Sequence, residues 1–121
     1  MRMGSRWLGI VVDSSDPARL ARWWAEVLGY HVTFEDPGLV SIAGDDKTHP
    51  GIAFVSVPEA KAGKNRLHLD LEPDDQPAEI ERLVDMGARH VDIGQPADRG
   101  WTVLADPEGN EFCVLRGGKT P

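Results

Sequence analysis

Two stretches in the second half of the chain decide the fold: RLHLDLE at residues 66–72 and GWTVLADPEGNEFCVL at residues 100–115. The first stretch alternates leucine with polar residues, which is the period-two pattern of a half-buried β-strand. Successive side chains of a strand point to opposite faces, so His68, Asp70 and Glu72 are predicted to share one face. The three leucines between them would then face the core. This polar strand face is the first place where we expect a site.

The second stretch predicts two strands joined by a turn over residues 106–110. Pro107 fixes its φ angle and suits an early turn position, whereas Gly109 tolerates the left-handed conformation that closes a hairpin. Trp101 and Cys113 lie on the two strands that flank this turn. The hairpin is therefore predicted to lie beside the polar strand.

Outward from these stretches, the first half of the chain predicts an amphipathic helix between Asp16 and Gly29. Asp16 is a suitable N-cap, Pro17 suits the first helical position, and Gly29 suits a left-handed C-terminal residue. Apolar residues recur between them at helical spacing: Leu20, Trp23, Trp24, Val27 and Leu28. Because this spacing forms one stripe, both tryptophans are assigned to the core rather than to a ligand site.

The same pattern then occurs again. Asp16 precedes Gly29 by 13 residues, and Asp75 precedes Gly87 by 12. Each predicted helix follows one strand and precedes three more. The eight predicted strands are Trp7–Asp13, Tyr30–Glu35, Leu39–Ala43, Ile52–Val57, Arg66–Glu72, Arg89–Ile93, Trp101–Ala105 and Glu111–Leu115. The sequence therefore predicts an α+β fold of two β-α-β-β-β units with a period of about 60 residues, within a single domain spanning residues 1–121. The first unit would span about residues 7–57 and the second about 66–116.

Composition excludes several classes of function. The formal charge of −7 and the pI of 4.9 argue against nucleic-acid binding, which requires clustered Lys and Arg. No apolar run approaches the roughly 20 residues of a membrane helix. The basic start leads into a strand without a signal-peptide core, so we expect a cytoplasmic protein. A single cysteine excludes an internal disulfide.

Three segments resemble the vicinal oxygen chelate superfamily, which includes glyoxalase I, extradiol dioxygenases, and the fosfomycin and bleomycin resistance proteins. The helix from Asp16-Pro17 to the Val27-Leu28-Gly29 turn is similar to that family's first helix, and residues 106–110 are similar to its "DP-D/E-GN" hairpin. Residues 65–71 together with 109–115 resemble the branch called glyoxalase-like domain proteins.

The resemblance implies a cup formed by two curved sheets, whose floor binds a divalent metal in the metal-dependent members. Those members supply a His or similar ligand from the first strand of each unit and a Glu from each last strand. In the second unit the matching positions are His68 and Cys113. In the first unit they are Gly9 and a position near Phe54 or Val55, none of which offers a donor atom.

We therefore expect no resident cofactor. If a divalent metal such as zinc does bind, the expected ligands are His68, Cys113 and Glu111. The candidate catalytic residues are His68, Asp70 and Glu111, with His68 as acid or base. The candidate ligand-binding residues are Trp7, Trp101 and Cys113, the two tryptophans because flat rings stack on planar ligands. Asp70 is a second carboxylate that would orient His68 or share its proton.

Three functions remain open. The first is metal-independent binding of a small molecule. The protein would either sequester an aromatic or cationic compound, as bleomycin resistance proteins do, or bind its ligand as part of an activity that is not yet assigned. The second is a glyoxalase-like lyase or isomerase that uses His68 as acid or base, or as a metal ligand. The third is a protein whose cup is filled by its own side chains. Many relatives form homodimers, and an open sheet edge gives a physical reason to expect one here.

Overall fold

The computed structural model describes residues 4–45, 50–91 and 100–116. The chain forms two compact units, Met1–Ala60 and Lys61–Pro121. Each unit contains one helix and one four-stranded sheet.

The first unit comprises β1 (Gly9–Ser14), α1 (Pro17–Leu28), β2 (His31–Asp36), β3 (Leu39–Ala43) and β4 (Gly51–Ser56). Its strand order is β1-β4-β3-β2, with β1 parallel to β4 and the other pairs antiparallel. α1 packs against β2, β3 and β4.

The second unit comprises β5 (Asp70–Leu71), α2 (Gln76–Asp85), β6 (Arg89–His90), β7 (Trp101–Ala105) and β8 (Glu111–Leu115). Its order, β5-β8-β7-β6, repeats that of the first unit, again with one parallel pair, β5 and β8. The predicted α+β fold and the β-α-β-β-β repeat are confirmed.

Helix α1 has the predicted ends. The Asp16 side chain accepts a hydrogen bond from the Arg19 N–H at 3.3 Å, and Gly29 adopts φ 70° while its N–H donates to the Ala25 carbonyl. Trp23 and Trp24 are buried and pack edge to face, with ring centroids 5.1 Å apart. Their assignment to the core is confirmed.

The predicted hairpin is built around the side chain of Asp106, which is fully buried. Asp106 Oδ1 accepts hydrogen bonds from the backbone N–H groups of Glu108 and Asn110, each at 2.9 Å. Both carboxylate oxygens also accept from the Asn110 side-chain amide. Gly109 adopts φ 89°, as its place in the turn required.

The predicted strand at residues 66–72 is wrong in length, because only Asp70 and Leu71 form β5. Upstream of it the chain bends at residues 66–67, and Leu67 is 88% exposed rather than buried. The Asn65 side-chain amide donates a hydrogen bond to the Glu111 carbonyl at 3.4 Å. At the start of β8, a side-chain amide thus bonds the backbone carbonyl that a backbone N–H group of a longer β5 would have bonded.

The remaining differences lie at strand ends. β1 begins at Gly9 rather than Trp7, and β6 ends at His90. The strand was predicted to continue to Ile93, but residues 92 and 93 lie outside the described residues. In the described ranges, neither helix is long and apolar enough to cross a membrane.

Replacing Asp106 with alanine is expected to lower the free energy of unfolding by about 2–4 kcal/mol, because the hairpin N–H groups lose a buried acceptor. Asp106→Asn keeps one oxygen for those groups and is expected to lose less. Glu81→Ala, which removes the same charge from an exposed position of α2, serves as the matched control. Urea denaturation of the three variants measures the difference. Equal losses for Asp106→Ala and Glu81→Ala would contradict this account of the hairpin.

Candidate functional site

Strand register places three of the candidate residues, Asp70, Cys113 and Trp101, on one face of the second sheet. Asp70 on β5 is the partner of Cys113 on β8, and Val103 on β7 pairs with Cys113 from the other side. Trp101 pairs with Leu115, two residues beyond Cys113 on the same strand. Because paired residues of neighbouring strands share a face, Trp101 is a diagonal neighbour of Cys113.

His68, Asp70 and Cys113 form a cluster on this face. One potential ligand atom from each residue (a ring nitrogen, a carboxylate oxygen and the thiol sulfur) lies within 4.8 Å of the other two. His68 Nδ1 is 3.2 Å from Asp70 Oδ1, and both side chains are exposed. Cys113 is buried beneath them, with 5% of its surface accessible. We call these three residues the polar cluster.

The Cys113 thiol is held in its protonated form. Burial raises the pKa of this thiol, and the charge of Asp70 and a hydrogen bond to its carboxylate raise that pKa further. A thiol rather than a thiolate is therefore present at neutral pH. Since the thiolate is the nucleophile, Cys113 is unsuited to attack a substrate in this state.

Glu111 is held away from the polar cluster by other partners. Its Oε1 accepts a hydrogen bond from the Asn65 backbone N–H at 2.9 Å, and its Oε2 lies 3.2 Å from Lys61 Nζ. Burial by itself would raise the pKa of Glu111, but the hydrogen bonds from Asn65, from its own backbone and from Lys61 bring that pKa below the usual range. Glu111 is therefore ionised and paired at neutral pH.

No sequence signal pointed to Lys61, which lies 50 residues from Glu111 in a segment with the composition of a linker. Asn65 is the first residue of the segment 65–71 that resembles glyoxalase-like domain proteins, and no role was predicted for it. Neither residue was identified as part of the site's surroundings.

Among the described residues of the first unit, no equivalent of the polar cluster is present. Gly9 takes the place of His68, and the β1–β4 register places Val11 opposite Ala53, as Asp70 lies opposite Cys113 in the second unit. The position matching Cys113 is thus Ala53, next to the position near Phe54 or Val55 that the resemblance implied. A Cβ atom at Gly9 would lie 2.8 Å from the Gly51 carbonyl oxygen, so a side chain there requires the backbone to shift.

Trp7, a predicted ligand contact, belongs to the first unit and is 66% exposed. Its Nε1 donates to the Gly9 carbonyl at 3.2 Å, which fixes the ring beside the start of β1. Trp101, the other predicted aromatic contact, is 36% exposed on the face of the polar cluster.

Comparison with known families agrees with this architecture. The family model described as glyoxalase-like domain matches residues 9–115. The chain belongs to the glyoxalase-like domain family. This membership places it in the vicinal oxygen chelate superfamily, as the helix and hairpin motifs predicted. A comparison with curated proteins found no match.

Solved structures show the same fold at low sequence identity. A glyoxalase/bleomycin resistance protein/dioxygenase family enzyme from Burkholderia phytofirmans is 16% identical, with a TM-score of 0.70 over 91% of this chain and 97% of that one. Trypanothione-dependent glyoxalase I from Leishmania major is 13% identical, with a TM-score of 0.67 over 93% and 86% of the two chains. A bleomycin-binding protein in complex with bleomycin is 18% identical, with a TM-score of 0.58 over 94% and 100%.

Among the described residues, side chains that could together ligate a metal are found in the second unit. The matched positions of the first unit, Gly9, Val11 and Ala53, have no metal-ligating side chain. The polar cluster does offer three donors, and its nitrogen, oxygen and sulfur atoms are of the types that zinc accepts. Asp70, and not the expected Glu111, is the carboxylate of this set.

The native Cys113 thiol is expected to react with a disulfide reagent about a hundredfold or more slowly at pH 7 than the thiol of the unfolded protein. Asp70→Asn removes the negative charge that helps to raise the pKa of this thiol, so the reaction should begin at a lower pH than in the wild type. The pH profile of thiol modification measures this shift. Glu72→Gln is the matched control, because Glu72 is an exposed carboxylate outside the cluster. A profile unchanged by Asp70→Asn would show that Asp70 does not act on the thiol.

Proposed function

We propose that this glyoxalase-like protein binds a small organic molecule on the face of the second sheet that carries the polar cluster, without a resident metal. One observation carries the proposal. Strand register puts the partly exposed indole of Trp101 on the same face as Asp70, whose exposed carboxylate lies 3.2 Å from His68 Nδ1. A flat apolar surface next to a few polar groups is the usual composition of a small-molecule site.

The charges on this face favour an aromatic or cationic ligand. Glu111 is neutralised by Lys61, whereas Asp70 is exposed beside His68 and the uncharged Cys113 thiol. Asp70 would therefore attract a positively charged group, and Trp101 would stack on a ring or on the cation itself. The bleomycin-binding protein of the same fold supports small-molecule binding as a role for this architecture.

Two observations support binding without a metal. The first unit supplies no donor at the positions that complete the family's ligand set. In the second unit, the Cys113 thiol keeps its proton and donates a hydrogen bond to the Asp70 carboxylate, so a metal would have to displace that proton.

A second candidate function is a lyase or isomerase of the glyoxalase-like kind, and the 3.2 Å contact between His68 and Asp70 favours it. A carboxylate at Nδ1 fixes the ring orientation and leaves Nε2 to take or give a proton next to a substrate carbonyl. In a metal-dependent version, His68, Asp70 and Cys113 would hold the ion. Zinc would supply Lewis-acid polarisation of the carbonyl.

A thermal-shift screen with planar aromatic and cationic compounds, followed by titration calorimetry of the hits, tests the proposal. Trp101→Ala is expected to weaken binding by about 3- to 10-fold, the usual worth of an aromatic stacking contact. His68→Ala is expected to change the affinity little. Phe34→Ala, at an exposed position of β2 in the first unit, is the matched control for the loss of an exposed aromatic ring.

The acid–base alternative predicts a different result. If a hit is turned over, His68→Ala should reduce the rate by about 100-fold or more while binding is largely kept. Binding that is equally strong in wild type and Trp101→Ala would contradict the proposed site. A screen without any hit would favour a protein that fills its own cup.

A further inference from the structure

We infer that Lys61 and Glu111 are positioning residues for His68: together they clamp the loop that carries His68 onto strand β8. This inference rests on the proposed function, because it explains how the site is held open to a ligand. It assigns separate roles to the two carboxylates of the site, Glu111 and Asp70.

The clamp is made by several contacts to one residue. Lys61 Nζ lies 3.2 Å from Glu111 Oε2 and also donates to the Gly63 carbonyl. The Asn65 backbone N–H donates to Glu111 Oε1 at 2.9 Å, and the Asn65 side-chain amide donates to the Glu111 carbonyl at 3.4 Å. Glu111 thus holds both ends of residues 61–65.

His68 lies between two anchors on the same strand. The first anchor is Asn65 on Glu111, and the second is the Leu69 carbonyl, which accepts from the Cys113 N–H at 2.9 Å. Residues 66–68 span the gap between them without forming a strand. Since the loop has no ladder of its own, the two anchors decide where the imidazole lies relative to Asp70.

Burial makes the clamp stronger than an ordinary surface ion pair. The Lys61 and Glu111 side chains are only 17% and 10% exposed, whereas the Arg22 and Glu35 side chains of the first unit's ion pair are 54% and 39% exposed. Exposed pairs contribute little, but removing one partner of a largely buried pair leaves an uncompensated charge. Loss of Lys61 is therefore expected to release the loop.

The clamp also separates the roles of the two acidic residues. Glu111 has its carboxylate oxygens and its backbone carbonyl occupied by the loop, so it is closed to a ligand. Asp70 is exposed beside His68 and remains available. Glu111 was a candidate catalytic residue by sequence, and the structure assigns it to positioning.

The test compares Lys61→Met with Lys61→Arg, and Arg22→Met is the matched control that breaks the exposed pair. Two readouts need no ligand: the ¹⁵N NMR spectrum of the His68 ring, assigned with His68→Ala, and hydrogen exchange of the Cys113 amide. In Lys61→Met the His68 ring signals should move away from their wild-type positions. The Cys113 amide should exchange about tenfold or more faster, as expected when a loop hydrogen bond is weakened. Lys61→Arg should restore both, and Arg22→Met should change neither.

Two results would overturn the inference. One is a Lys61→Met protein whose His68 ring spectrum and Cys113 exchange match the wild type. The other is uniform acceleration of all strand amides with an unchanged ring spectrum, which would show a general loss of stability. If Lys61→Met fails to fold, Glu111→Gln gives the same answer, because it keeps an oxygen for the Asn65 N–H and loses the attraction to Lys61. Neither readout depends on Trp101 or a bound compound, so a failed ligand screen leaves this result intact.

Discussion

A backbone hydrogen bond of 2.9 Å from the Cys113 N–H to the Leu69 carbonyl begins the short parallel pairing of β5 with β8. That pairing places Asp70 opposite Cys113 and brings His68 next to Asp70. With only two residues in β5, the polar cluster depends on this pairing and on the anchoring of the preceding loop to Glu111. The site therefore lies where the sheet is least regular, which is common for functional residues carried on loops beside a rigid scaffold.

The two units show that a repeated fold need not repeat a site. Both sheets have the same strand order and one parallel pair. In the second unit the matched positions hold an imidazole, a carboxylate and a thiol, whereas in the first they hold Gly9, Val11 and Ala53. The close approach of the Gly9 and Gly51 backbones explains part of this difference, since a larger residue at position 9 meets a carbonyl oxygen. Function within this superfamily has to be argued from such side chains, because the fold alone hosts many activities.

Local signals made most of the fold predictable. Asp16, Pro17 and Gly29 mark the ends of a helix by capping chemistry that acts within one turn of the chain, and the hairpin at residues 106–110 is equally local. The alternation around His68 and Asp70 predicted that the two side chains lie together, and they are 3.2 Å apart, although His68 precedes β5 and is not part of it. The extent of β5 was not predictable, since strand length depends on which backbone groups of the partner strand are available for hydrogen bonding. The pairing of Lys61 with Glu111 was also beyond sequence reasoning, because 50 residues separate them and neither lies in a recognisable motif.

Metal analysis of protein purified without chelators or an affinity metal column tests the central claim most directly. The claim is that the second sheet provides a small-molecule site that works without a resident metal. We predict far less than one metal ion per chain, and the same melting temperature with and without EDTA. One zinc ion per chain that disappears in His68→Ala would contradict this claim. It would instead make the polar cluster the metal centre of an enzyme.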